Sequence, residues 1–195
     1  MDLAAEKRRL RAEALGRRTA MGDEARAEAS RRAAANALSA IGPVDGRTIA
    51  LFASFRDEID TAPLADALRR AGARLALPVI VARGQPLRFR LWESHATLAP
   101  AGAYRIPEPG PEAPQVTPDV VLVPLAAFDR RGFRIGYGAG FYDRTLQILR
   151  QENTVQAIGF ALACQEVSAA PAEPHDEPVD MMVTESEIIS CARAR

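Results

Sequence analysis

The sequence predicts an α/β fold of three layers, α/β/α, with a mostly parallel central sheet in a single domain spanning residues 1–195. Three observations predict it. Segments of strand composition alternate with segments of helical periodicity along most of the chain. The run Val120-Val-Leu-Val123 is apolar at every position, as befits a strand covered on both faces. A chain of 195 residues that is 48% apolar can fill one sizeable core and has little room for a second.

The elements follow in order. Residues 3–20 and 24–40 are rich in Ala and Arg, both good helix formers, and they break at Gly22-Asp23, where Asp23 can cap the second helix. Together they make a basic helical segment, 1–40, that packs on the rest. Residues 48–53 read as a buried strand. Glu58-Ile-Asp-Thr-Ala-Pro63 then opens a helix capped by Asp60 or Thr61, with an early proline, and it stops near Gly72. Residues 73–81 and 87–92 read as strands. The connection to Pro118 carries Pro100, Pro107, Pro109, Pro111 and Pro114, which keep it extended. Long irregular connections often bind ligands, which singles out Tyr104. After Val120–Val123 and a glycine-rich segment comes a helix over 142–150, with Leu146 and Leu149 at core-facing spacing. Residues 155–161 and 181–184 complete the sheet.

The glycine-rich segment, Arg134-Ile-Gly-Tyr-Gly-Ala-Gly-Phe-Tyr-Asp-Arg144, has the composition of a phosphate site. Its glycines let backbone N–H groups turn toward an anion, Arg134 adds charge, and the helix starting near Phe141 adds its positive dipole end. It is neither a Walker A loop, whose lysine and hydroxyl residue are replaced by Phe141 and Tyr142, nor a dinucleotide fingerprint. On composition alone a structural turn fits as well as a phosphate cradle. Its place after a buried strand favours the cradle, because open α/β sheets put ligands there. Asp143, in the first helical turn, is a dipole partner or a magnesium ligand, and spacing alone favours the structural role.

Lys plus Arg equals Asp plus Glu at 25 each, so bulk charge points to neither a nucleic-acid nor a membrane partner. No apolar run reaches membrane-spanning length, and residues 1–20 lack a signal-peptide core. Cys164 and Cys191 are too few and too scattered for a disulfide framework or a zinc site, and read as core packing in a cytoplasmic protein. Lys7 is the sole lysine of the chain.

Four motifs, in order along the chain, resemble the 5-formyltetrahydrofolate cyclo-ligase family, also called methenyltetrahydrofolate synthetase. They are Lys7-Arg-Arg-Leu-Arg11, Glu58-Ile-Asp-Thr61, Pro124-Leu-Ala-Ala-Phe-Asp129 with Arg134 to Arg144, and His175-Asp-Glu-Pro-Val-Asp180. The resemblance implies an ATP contact surface of Lys7, Arg8, Arg9, Leu10 and Arg11 together with Arg134, Ile135, Gly136, Tyr137, Gly138, Ala139, Gly140, Phe141 and Tyr142. It implies folate contacts at Ala53, Phe55, Glu58, Tyr104 and Tyr142, and Mg²⁺ ligands at Asp143 and Asp176, with Asp180 ranked lower. Arg134, Lys7 and Arg144 would be the catalytic cations, Arg144 either assisting or holding Asp143, and Asp129 would orient the loop. The implied partners are ATP and 5-formyltetrahydrofolate, with or without a polyglutamate tail, acting on a monomer. The implied reaction is phosphorylation of the formyl oxygen followed by ring closure, and Arg134→Ala is expected to slow it with the fold intact.

Three positions depart from the family pattern. Leu125 stands for a usual glycine, Ala139 for the middle glycine of the loop, and Val79 for an arginine whose substitute is sought among Arg83, Arg88 and Arg90. Two other classes fit parts of the sequence: a phosphate-sugar isomerase or CoA transferase on the same layers, and an RNA-binding arm made of the amino-terminal helices.

Overall fold

The computed structural model describes residues 2–93, 98–101 and 106–191. Helices α1 (Leu3–Thr19) and α2 (Asp23–Ile41) lead into strand β1 (Thr48–Ala50), helix α3 (Ala62–Arg70) and strands β2 (Arg74–Val79) and β3 (Arg88–Leu91). The proline-rich connection contributes short strands β4 (Ala99–Ala101), β5 (Ile106–Glu108) and β6 (Gln115–Val116). Strand β7 (Val120–Val123) is followed by β8 (Ala127–Phe128), β9 (Arg134–Ile135), helix α4 (Phe141–Glu152) and strands β10 (Gln156–Phe160), β11 (Met181–Val183) and β12 (Ile188–Ser190).

The main sheet has the order β12-β11-β10-β7-β1-β2-β3-β6. From β11 to β2 every pairing is parallel, while β12, β3 and β6 add antiparallel edges. Strand β7 is apolar at every position, and its neighbours β1, β2 and β10 are apolar beyond their first residue, because alternate residues enter different cores. Ile49, Leu75, Leu77, Val120, Leu122 and Ile158 meet α2 and α3 on one face. Ala50, Ala76, Val121, Val123 and Ala157 meet Leu146 of α4 on the other. The three expected layers are therefore α2 and α3, the sheet, and α4.

Helix α1 belongs to neither outer layer. Its narrow apolar stripe, Leu10 and Ala14, packs with Ala127, Ile135 and Ala170. The basic segment therefore divides: α2 covers the sheet, while α1 lies against the β8–β9 hairpin.

Chain order creates the crevice. From β1 the chain proceeds to β2 on one side, whereas from β7 it proceeds to β10 and β11 on the other. Their carboxyl ends diverge at this switch point, where open α/β sheets bind ligands.

Several local expectations are corrected. Gly22, not Asp23, is the N-cap of α2, and Asp23 instead pairs with Arg26 in the first turn. For α3 the expected cap is found: Thr61 is the N-cap residue, and Asp60 Oδ1 accepts from Ala62 N at 2.9 Å. The glycine-rich segment does not follow β7 directly, because the β8–β9 hairpin intervenes.

Candidate active site

A cleft of about 970 Å³ opens at the carboxyl ends of β1 and β7, where Phe52, Ala53 and Pro124 form part of its lining. Helix α1 contributes Lys7, Arg11 and Arg18, spaced four and seven residues apart and so on one helix face. The glycine loop, the start of α4 and the 173–176 turn supply the remaining polar wall.

Gly138 (φ 96°) and Gly140 (φ 64°) hold the loop in left-handed conformations, and Gly140 is the N-cap of α4. Ala139 has no positive φ, so alanine at that position costs no backbone strain. Arginines take the loop carbonyls: Arg11 Nε donates to Gly136 O at 2.8 Å and Arg144 Nη2 to Ala139 O at 2.5 Å. Among the described residues, the backbone N–H groups of Gly138, Ala139 and Gly140 have no hydrogen-bond partner. Such amides at a helix N-terminus form an anion-binding concavity.

Arg134 projects from β9 beneath this loop and is nearly buried. It donates from Nη2 to Asp143 Oδ1 at 2.7 Å and from Nη1 to the carbonyl of Glu177. Burial lowers its pKa, and the Asp143 carboxylate opposes that shift. Lys7 Nζ reaches Asp176 Oδ2 at 2.7 Å and Glu173 Oε2 at 2.8 Å. Burial works against its charge, but the two carboxylates outweigh burial and raise its pKa.

At the opposite wall, Glu58 accepts from Phe55 N at 3.0 Å and from the Tyr137 hydroxyl at 2.5 Å. Burial raises the pKa of Glu58, and these bonds only partly offset it. Behind it, Arg18 donates to Tyr137 at 2.9 Å and to Asp57 Oδ1 at 2.7 Å. Asp57 loses water to burial, yet bonds from Arg18 and Thr19 bring its pKa from 3.8 down to about 2. A depressed carboxylate pKa contributes stability that is full above the unfolded value and disappears as pH falls through the folded one. Asp57→Asn should therefore lower stability by about 2 kcal/mol near neutrality. It should also flatten the loss of stability between pH 4 and pH 2, read from urea midpoints, relative to the parent chain.

Asp143 and Asp176 both face the cleft. Among the described residues no group of three or more His, Cys, Asp or Glu side chains forms a metal cage. Two carboxylates by themselves would leave most of a hard cation's coordination to ligand oxygens and water.

The structure sorts the sequence-based site residues. Lys7, Arg11, Ala53, Phe55, Glu58, the span 134–143 and Asp176 all line the cleft. Arg8, Arg9 and Leu10 do not. Arg9 pairs with Glu6 and Glu13 at 2.6 Å each, Arg8 lies 3.8 Å from Asp2, and Leu10 is in the α1 core. A run of consecutive residues cannot share one helix face at about 100° per residue. Arg144 does not reach the cleft and does not hold Asp143; it holds the Ala139 carbonyl. Tyr104 lies outside the described residues. None of Arg83, Arg88 and Arg90 lines the cleft, whereas Arg56 does. Leu125 is core, and Val79 is buried in β2. Asp129 is buried and accepts from the backbone N–H groups of Arg131 and Ala170, both at 2.9 Å, which fixes the hairpin turn. Asp180 likewise accepts from Ala157 N at 2.7 Å. Sequence reasoning missed Glu173, Asp57 and Arg18. Only Arg18 left a signal, as the continuation of the Lys7–Arg11 stripe.

The profile of the 5-formyltetrahydrofolate cyclo-ligase family matches residues 3–185. The chain belongs to that family. It is 38% identical over 178 residues to the 5-formyltetrahydrofolate cyclo-ligase of Escherichia coli K12, covering 88% of this chain and 96% of that one. The enzyme of the same name from Mycolicibacterium smegmatis is 36% identical over 72% of this chain and 75% of its own. The fold matches the NMR structure of Aquifex aeolicus 5,10-methenyltetrahydrofolate synthetase with a TM-score of 0.79 and 29% identity, over 97% of this chain and 94% of that one. Membership of this enzyme family displaces the isomerase, transferase and RNA-binding alternatives.

Proposed function

We propose that the chain catalyses the ATP- and Mg²⁺-dependent cyclisation of 5-formyltetrahydrofolate to 5,10-methenyltetrahydrofolate, with release of ADP and phosphate. One observation carries this reading: a single cleft joins a carboxylate suited to a pterin, Glu58, to an anion-binding set of Lys7, Arg134 and the glycine loop.

Glu58 accepts paired hydrogen bonds from the amino and ring N–H groups of the pterin, fixing which end of the folate enters first. Phe55 and Tyr142 pack against its rings. The amides of Gly138 to Gly140 and the amino-terminal end of α4 take the ATP phosphates. Asp143 and Asp176 would hold Mg²⁺, which when bound supplies further charge neutralisation on those phosphates.

With both substrates held, the formyl oxygen lies in line with the γ-phosphorus. It forms the new P–O bond as the bond to ADP breaks. Arg134 and Lys7 balance the charge on the migrating phosphoryl group, and alignment contributes the rest. The phosphorylated formyl carbon is then an electrophile. The anilino nitrogen attacks it, loses its proton, and expels phosphate with the former formyl oxygen. No strong protein base or nucleophile is required.

The oxygen balance provides the test. Substrate labelled with ¹⁸O in the formyl group should yield inorganic phosphate carrying the label by mass spectrometry. Unlabelled phosphate would overturn the phosphorylation route.

A further inference from the structure

Arg18 is an arginine in an unusual place. It is 4% exposed, lies on the cleft, and is absent from every motif that carries the family resemblance. Buried arginines need fixed partners, and this one divides its guanidinium between two. One arm is anchored by Asp57, which also accepts from Thr19 Oγ1 at 2.5 Å. The other arm reaches the hydroxyl of Tyr137 at 2.9 Å.

Donor and acceptor chemistry then fixes the direction of the next bond. A guanidinium has only donors, so the Tyr137 oxygen must accept from Arg18 and direct its single proton elsewhere. It directs that proton to Glu58 Oε1, 2.5 Å away, while Phe55 N holds Oε2 at 3.0 Å. Each oxygen of Glu58 is thereby held by one donor and keeps accepting capacity for a ligand. Tyr137 also sits inside the glycine loop, so its backbone and its hydroxyl serve different halves of the cleft.

We propose that Arg18 and Tyr137 are positioning residues for folate: Arg18 fixes the Tyr137 hydroxyl, and that hydroxyl sets the carboxylate of Glu58 in the orientation that receives the pterin. The inference rests on the assignment of Glu58 to folate. It predicts a split between the two substrates that a purely structural role in the loop would not produce. Losing the hydroxyl should weaken folate binding and leave the nucleotide alone.

The experiment is equilibrium titration of the full chain with 5-formyltetrahydrofolate and, separately, with a non-hydrolysable ATP analogue. Tyr137→Phe keeps the ring and removes only the hydroxyl. It should weaken folate binding about tenfold and leave nucleotide affinity within about twofold. Arg18→Met should shift folate in the same direction. It also leaves Asp57 without its cation, so if it fails to fold, Tyr137→Phe carries the test alone. Unchanged folate affinity in Tyr137→Phe, or equal weakening of both ligands, would overturn the proposal. A parent chain that binds the nucleotide but no 5-formyltetrahydrofolate overturns the functional reading itself, and this inference with it.

Discussion

Arg134→Ala should lower turnover by more than an order of magnitude. The guanidinium is the cation placed below the glycine loop, and it is fixed before any ligand arrives by Asp143 and the Glu177 carbonyl. Preorganised donors of this kind are each worth about 10²–10³ in rate, because no solvent or side chain must reorient as charge develops. The same burial changes the expectation that the fold is untouched. Alanine leaves a buried cavity and strips Asp143 of its cation, leaving it the Glu177 N–H at 3.2 Å, at a cost of about 1–3 kcal/mol. Turnover must therefore be compared well below the thermal midpoint of the variant. Arg134→Lys separates the two effects: it keeps the charge but loses the fork, so it should recover stability better than rate. Near-parental steady-state turnover in Arg134→Ala would remove this residue from the mechanism.

Lys7→Ala should lower kcat/KM for ATP by about 10²-fold while leaving folate affinity in place. Lys7 sits between Glu173 and Asp176, so it neutralises two carboxylates that would otherwise face the incoming phosphates together. Its removal both withdraws a cation and restores that repulsion. Lys7→Arg should rescue only in part, since a planar fork does not replace a compact ammonium held by two converging carboxylates. Such a requirement would account for the sole lysine in a chain whose other cationic side chains at neutral pH are arginines. Steady-state kinetics with ATP varied at saturating folate measures both variants. A kcat/KM for ATP unchanged in Lys7→Ala would show that α1 is scaffold rather than part of the nucleotide site.

How much of this was legible in the sequence depends on the range of the forces involved. Val120–Val123 announced itself because burial on both faces writes an apolar residue at every position. The helix carrying Leu146 announced itself through its period. Strands of two or three residues, such as β8 and β9, carry no readable period, and only their pairing across the hairpin turn defines them. The glycine loop was visible as chemistry, yet its neighbours were not, because the hairpin before it and the 173–176 turn are brought in by the fold. Of the run that the resemblance implied, Lys7 and Arg11 share one helix face and line the cleft, whereas Arg8 and Arg9 point elsewhere. Arg18, seven residues beyond Arg11, falls on the same helix face and was within reach of helical periodicity. Nothing local marks Glu173 as the second carboxylate on Lys7.

In the proposed function this one cleft couples ATP to closure of the folate ring. The most direct measurement mixes the purified chain with 5-formyltetrahydrofolate, Mg²⁺ and ATP, and follows the absorbance band of the methenyl product near the ultraviolet–visible boundary, with ATP omitted from a parallel sample. The band should grow only when ATP is present, with ADP formed in step. A band that grows equally without ATP, or ATP bound with no band at all, would contradict it.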